Sequence, residues 1–211
     1  MNNFNAKYRF TEEWFDMMIP VWSELFRDHY KTPIKSVLEI GCYEGRATVW
    51  LCENVLSNQQ VDNYDVVDTF EGTIAESGMV GTAGRLNQDQ SFIKSNFEHN
   101  ISFFQDKIPF NLYQGYSQYE LPRLAEQGNQ YDFIYVDASH QSDDTFVDGY
   151  FAHKMLKPGG LIIFDDFGWR DPKKPHENYS PEVGIRMFFT LYSESYQPVF
   201  ANYQIGAIKI I

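Results

Sequence analysis

Asp137 with His140, and the pair Asp165-Asp166, are the side chains in this sequence best suited to chemistry. Each group follows an apolar run, YDFIYV or LIIF, of the kind that forms a buried strand. Adjacent parallel strands lie about 4.8 Å apart, so the three carboxylates can converge at one point. Like charges held that closely need a proton or a cation between them, and hard oxygen donors suit Mg2+ or another divalent cation. Asp137, Asp165 and Asp166 are therefore candidate metal ligands; the structural alternative is that Asp165 or Asp166 only caps a loop. His140, from a side-chain class with an unperturbed pKa of about 6.5, could stand beside such a metal and take a proton from a hydroxyl. The other histidines, His29, His99, His153 and His176, fall in helices or loops and read as surface or packing residues.

A second constellation lies upstream. Glu39-Ile40-Gly41-Cys42-Tyr43-Glu44-Gly45 follows the apolar run SVLEI, and its glycines let the backbone turn tightly and approach a ligand. Tyr43 stands where a dinucleotide fingerprint has its middle glycine, which counts against a pyrophosphate on this loop. Asp68, near the end of the next run, offers a carboxylate that could accept two ribose hydroxyls, with Thr69 beside it. Gln114-Gly115-Tyr116-Ser117 could meet an adenine edge while a ring covers its face. By spacing alone, a nicotinamide-dependent oxidoreductase remains open, as does a binding module without catalysis.

These residues need elements to hold them. Apolar positions from Trp14 to Phe26 recur at three and four, predicting an amphipathic helix over 11–30 that Pro20 kinks or divides. Strands are predicted at 36–40, 63–70, 110–114, 131–137 and 161–166. Helices are predicted at 46–56, 91–99 and 120–127, and another carries Phe146, Val147, Tyr150, Phe151 and Met155 on one face. Lys157-Pro158-Gly159-Gly160 reads as a turn, and residues 71–90 as a mobile loop. A helix over 181–193 and two strands, 198–203 and 205–211, close the chain. Strands alternating with helices imply parallel βαβ units, and the final hairpin implies an antiparallel edge. The fold class is α/β, a doubly wound Rossmann-like sheet. A helical cap over 1–30 precedes one globular unit over 31–211.

Composition narrows the partners. The 211 residues suffice for one core, and 18 Phe, 14 Tyr and 4 Trp supply it. Twenty-nine acidic against 17 basic residues give a charge of −12, which repels phosphate backbones and anionic lipid. A short basic run, Arg170, Lys173 and Lys174, reads as a solvated loop. No stretch approaches the roughly 18 consecutive apolar residues of a spanning helix, and the N-terminus has no apolar leader. Cys42 and Cys52 are badly spaced for a staple, which fits a reduced, cytoplasmic setting. A homo-oligomer is compatible with all of this.

The runs VLEIGCYEGRATVWL, VDTFEG, FIYVDASH and MLKPGGLIIFDDFGW together resemble the class I S-adenosylmethionine-dependent methyltransferases of methyltransferase family 24. FTEEWFDMMIPVW and NYQIGAIKI are similar to that group's ends, so the resemblance covers nearly the whole chain. It implies a seven-stranded sheet with a reversed last strand. It also implies that Glu39, Gly41, Tyr43 and Gly45 surround the methionine part of S-adenosylmethionine, that Asp68 takes the ribose, and that Tyr116 and Ser117 lie near adenine. Asp137, Asp165 and Asp166 resemble the metal site of cation-dependent O-methyltransferases, where a lysine usually serves as base at the position His140 occupies here. Asp166 as the last of the three, where Asn could stand, is shared with sugar-modifying relatives and implies a glycan or glycosylated acceptor, within the broader expectation of a small-molecule or glycan acceptor. The acceptor pocket would draw on 1–15, 71–90 and 168–180.

Overall fold

The computed structural model describes residues 6–72, 91–170 and 180–211. The predicted loop 71–90 therefore falls almost wholly outside the described residues, as do Lys173, Lys174 and His176. Within them runs a seven-stranded sheet in the order β3-β2-β1-β4-β5-β7-β6. Its strands are β1 Ser36–Ile40, β2 Asn63–Asp68, β3 Phe110–Gln114, β4 Tyr131–Val136, β5 Leu156–Phe164, β6 Tyr196–Ala201 and β7 Ile205–Lys209. β1 to β5 pair in parallel, and β7 runs antiparallel to both β5 and β6. The order reverses between β1 and β4, and in open α/β sheets ligands bind outside the strand ends at such a switch point.

The central strands β1, β4 and β5 are apolar on both faces because helices cover both. Val37, Phe133, Tyr135, Leu161 and Ile163 face a cluster holding Phe15, Met18, Trp22 and Trp50. Leu38, Ile40, Ile134, Ile162 and Phe164 face the opposite cluster, with Leu121, Ala152, Ile185 and Phe188. α1 (Ile19–Glu24) and α2 (Arg46–Leu51) each run on into one wider π-type turn, Leu25–His29 and Cys52–Leu56. α3 is Ser91–Ile101, α4 Ser117–Glu126, α5 Ser142–Met155 and α6 Pro181–Leu191. No helix among the described residues is long and apolar enough to cross a membrane.

Several boundaries differ from expectation for physical reasons. The N-terminal helical segment starts at Trp14 rather than 11, as a tight turn over Trp14–Met18, and Pro20 sits in the first turn of α1, where its missing N–H costs nothing. β2 stops at Asp68 because its own carboxylate accepts the Phe70 N–H at 2.6 Å and Phe70 adopts φ 56°. α4 begins at Ser117 rather than 120 and tolerates Pro122. Lys157 to Gly160 is no free turn but an irregularity within β5, where the pairing with β4 shifts register. Cys42 and Cys52 are free buried thiols.

Candidate active site

Parity along the strands decides where the acids go. Glu39 shares a face with Val37, which puts its carboxylate beneath α2 rather than at the strand tip. There it accepts Thr48 Oγ1 at 2.7 Å and Tyr64 OH at 2.6 Å. Burial pushes its pKa up to about 7, against the pull of those two donors, and its Oε1 has no hydrogen-bond partner.

The loop that follows is held from beneath. Gly41 has φ 82°, and a Cβ there would lie 2.1 Å from the Asp137 carbonyl oxygen, so only glycine lets β1 and β4 close at their ends. Gly45 has φ 78° and opens α2, with the Phe97 ring 2.8 Å from where a Cβ would stand. Tyr43 is also left-handed, at φ 51°. Asp68 supports the turn between these glycines: its Oδ2 accepts the N–H groups of Cys42 at 2.6 Å and Tyr43 at 3.0 Å. Next to it, Thr69 Oγ1 accepts the Glu71 N–H at 3.2 Å. The Asp68 carbonyl takes the Gly115 N–H at 3.0 Å, which ties on the segment where Tyr116 precedes α4 and Ser117 begins it. The expected cofactor residues other than Glu39, whose side chain is buried under α2, are thus strung along adjoining strand ends.

A strap crosses this loop. Glu44 is buried and accepts the Thr11 N–H at 2.6 Å, Thr11 Oγ1 at 3.1 Å and Asn96 Nδ2 at 2.8 Å. Arg46 forks onto Asp16 at 2.6 and 2.7 Å, and Trp14 packs on Tyr43 with ring centroids 5.2 Å apart. Neither Glu44 nor Thr11 was expected, because their partners lie far off in sequence.

At the ends of β4 and β5 the three acids are brought together. Asp137 and Asp165 share the parity of Tyr135 and Ile163, so both turn toward the face of Trp22. The Tyr135 hydroxyl lies 3.2 Å from Asp137 Oδ2 and bonds Asp165 Oδ2 at short range. Gln204 Nε2 donates to the same Asp165 oxygen at 2.8 Å, and the Asp166 N–H donates to Asp165 Oδ1 at 2.6 Å. Asp166 breaks the parity with φ 56° and pairs with His140 Nε2 at 2.8 Å. His140 Nδ1 is buried without a hydrogen-bond partner, and the Trp169 ring lies against the imidazole at 4.3 Å between centroids.

The electrostatics follow from that crowding. Burial, then the charges of Asp165 and Asp166, hold the Asp137 pKa well above the usual carboxylate range. Burial and Asp166 push Asp165 up to about 7, with Tyr135 and Gln204 pulling the other way. Among the described residues, no three His, Cys, Asp or Glu side chains stand at metal-holding geometry. The Asp165 oxygens are turned to Tyr135, Gln204 and its own neighbour's N–H. The set still fits a hard cation by donor chemistry, because all the ligands are oxygens, a carboxylate has about four acceptor positions, and the charges acting on Asp137 are other acids. Tyr135 was legible as the same-face neighbour of Asp137. Gln204 lies in the run NYQIGAIKI that carries part of the resemblance, but nothing in the run assigned it a role.

The family whose model is described as a methyltransferase domain matches residues 38–167. No curated protein matches the chain by sequence. Among solved structures, the chain is similar to an O-methyltransferase from Bacillus cereus in complex with SAH, at 18% identity and a TM-score of 0.54, covering 98% of this chain and 85% of that one. It is also similar to a TDP-rhamnose 3'-O-methyltransferase of calicheamicin biosynthesis, at 17% identity and TM-score 0.60, covering 93% and 81%. An O-methyltransferase of tomaymycin synthesis from Streptomyces achromogenes, in complex with SAM, gives 15% identity and TM-score 0.59, covering 90% and 78%. At these identities, the likeness is one of fold.

Proposed function

This chain belongs to the methyltransferase-domain family and has the class I fold of S-adenosylmethionine-dependent methyltransferases; from that premise we propose that it methylates a hydroxyl of a small-molecule or sugar acceptor. The observation that carries the reading is the His140–Asp166 pair, 2.8 Å apart, at the strand ends beside the glycine loop. The acceptor oxygen attacks the methyl carbon, the carbon–sulfur bond breaks, and S-adenosylhomocysteine leaves as a neutral thioether. Asp166 orients the imidazole through Nε2–H and balances its charge once it is protonated. The imidazole is then the group that takes the hydroxyl proton. Proximity and orientation supply the rest of the acceleration, since the sulfonium is already an activated donor.

In this reading the loop from Gly41 to Gly45 cradles the methionine part of the cofactor, Asp68 meets the ribose, and Tyr116 and Ser117 flank the adenine. Asp137, Asp165 and Asp166 would hold a divalent cation such as Mg2+. A cation bound there would lower the pKa of the acceptor hydroxyl. The glycan or small-molecule preference is supported by the TDP-rhamnose and natural-product O-methyltransferases among the structural neighbours. The charge of −12 supports an acceptor other than nucleic acid or an anionic membrane surface.

Chelation is the test of the metal. With EDTA, turnover should vanish while calorimetric binding of S-adenosylmethionine persists. Full activity in EDTA, or in Asp166→Ala protein, would remove the cation from the account.

A further inference from the structure

Gln204 sits in the turn between β6 and β7, far from every cofactor motif, yet it is fully buried and its side chain makes three hydrogen bonds. Trp22 Nε1 lies 2.7 Å from its amide oxygen. An indole N–H can only donate, so this contact fixes which end of the amide carries oxygen. The NH2 end is thereby aimed at Asp165 Oδ2, 2.8 Å away, and at the Tyr135 hydroxyl oxygen, 3.2 Å away. The reversed amide would set its NH2 against the indole N–H and its oxygen against a carboxylate. The Asn202 side chain accepts the Gln204 backbone N–H at 2.9 Å, which fixes the turn itself.

We propose that Gln204 is a positioning residue of the acid cluster, locked by Trp22 so that its amide holds Asp165 in place beside Asp137. Asp165 receives neutral donors there from Gln204, Tyr135 and the Asp166 N–H. The Tyr135 hydroxyl oxygen also stands 3.2 Å from Asp137 Oδ2. The N-terminal helical segment thus reaches the reacting end of the sheet through one indole and one amide. Its kinetic consequences rest on the methyl-transfer reading; the hydrogen-bonded relay does not.

The test uses the full chain and the variants Trp22→Phe, Gln204→Leu and the double substitution. Each single variant should lower kcat on the order of tenfold, the scale expected when a reacting group is misplaced by a fraction of an ångström. Affinity for S-adenosylmethionine should stay within about twofold, and the double variant should be no slower than Gln204→Leu, since both break one relay. Wild-type kcat in Gln204→Leu, or losses that multiply in the double variant, would overturn the proposal.

A second arm needs no acceptor. The Trp22 indole N–H resonance should move in Asp165→Asn protein, because the change is felt through Gln204; an unmoved resonance would overturn the relay. If the wild type methylates no hydroxyl while that resonance does move, the functional reading fails and the relay stands.

Discussion

The sheet ends in two carboxylate sites built on opposite principles. At β1 and β2, Asp68 and Glu44 are surrounded by donors: Asp68 takes backbone N–H groups of Cys42, Tyr43 and Phe70, and Glu44 takes Thr11 and Asn96. At β4 and β5, Asp137, Asp165 and Asp166 face one another, and burial and mutual repulsion push Asp137 and Asp165 up. The first site has its charge met by donors, most of them from the backbone. The second sets buried acids against one another, which favours a proton on them or a cation between them. In the proposed reading binding and chemistry are separated along one edge of the sheet, and substitutions should separate them too.

The largest separation is expected at His140. His140→Ala should cost on the order of 10²–10⁴ in kcat, the usual worth of a general base, with cofactor affinity unchanged by calorimetry. Equal losses in both would merge the two sites. Asp68→Ala should do the reverse. It removes the acceptor that pins Cys42 and Tyr43, so affinity for S-adenosylmethionine should fall on the order of 10–100-fold, as expected for losing charge-assisted hydrogen bonds. Unchanged affinity would deny the loop its role.

A smaller effect sharpens the contrast by pH. Glu39 and Asp148 lie outside the acid cluster, and burial holds each at about 7 in the folded protein. The unfolded chain releases these protons near the ordinary carboxylate range of about 4, so between there and about 7 the folded state binds more protons. Stability should therefore fall as pH rises through that window. Thermal melting should be several degrees lower at pH 8 than at pH 5.5. Asp148 lacks a well-formed hydrogen bond on either oxygen, so Asp148→Asn should raise stability at pH 8 by about 1–3 kcal/mol and flatten the profile. A melting point that rises with pH would reverse the assignment. The smallest effect belongs to the strap: Thr11→Ala removes one side-chain bond to Glu44 and should cost about 0.5–1.5 kcal/mol of stability in denaturant titration, leaving kcat alone.

Much of this was legible beforehand because it is periodic or local. The alternation in YDFIYVD places Tyr135 and Asp137 on one face, and the apolar runs before Gly41, Asp68, Asp137 and Asp165 gave the parallel strands that bring their ends together. Gly41 was legible as a turn but not for its reason, which is the approach of the Asp137 carbonyl from another strand. Asp166 read as one more candidate ligand converging with Asp137 and Asp165; its left-handed backbone, and with it the pairing to His140, was not legible. Gln204 and Glu44 were invisible because their partners stand 39 to 182 and 33 to 52 positions away, and no local pattern encodes such contacts.

Mass spectrometry of sugar and small-molecule pools incubated with methyl-labelled S-adenosylmethionine tests the central claim most directly. The account predicts a labelled methyl ether on one hydroxyl, formed by the wild type and lost in His140→Ala protein that still binds the cofactor. Label on nitrogen, or bound cofactor with no acceptor labelled in any pool, would contradict it.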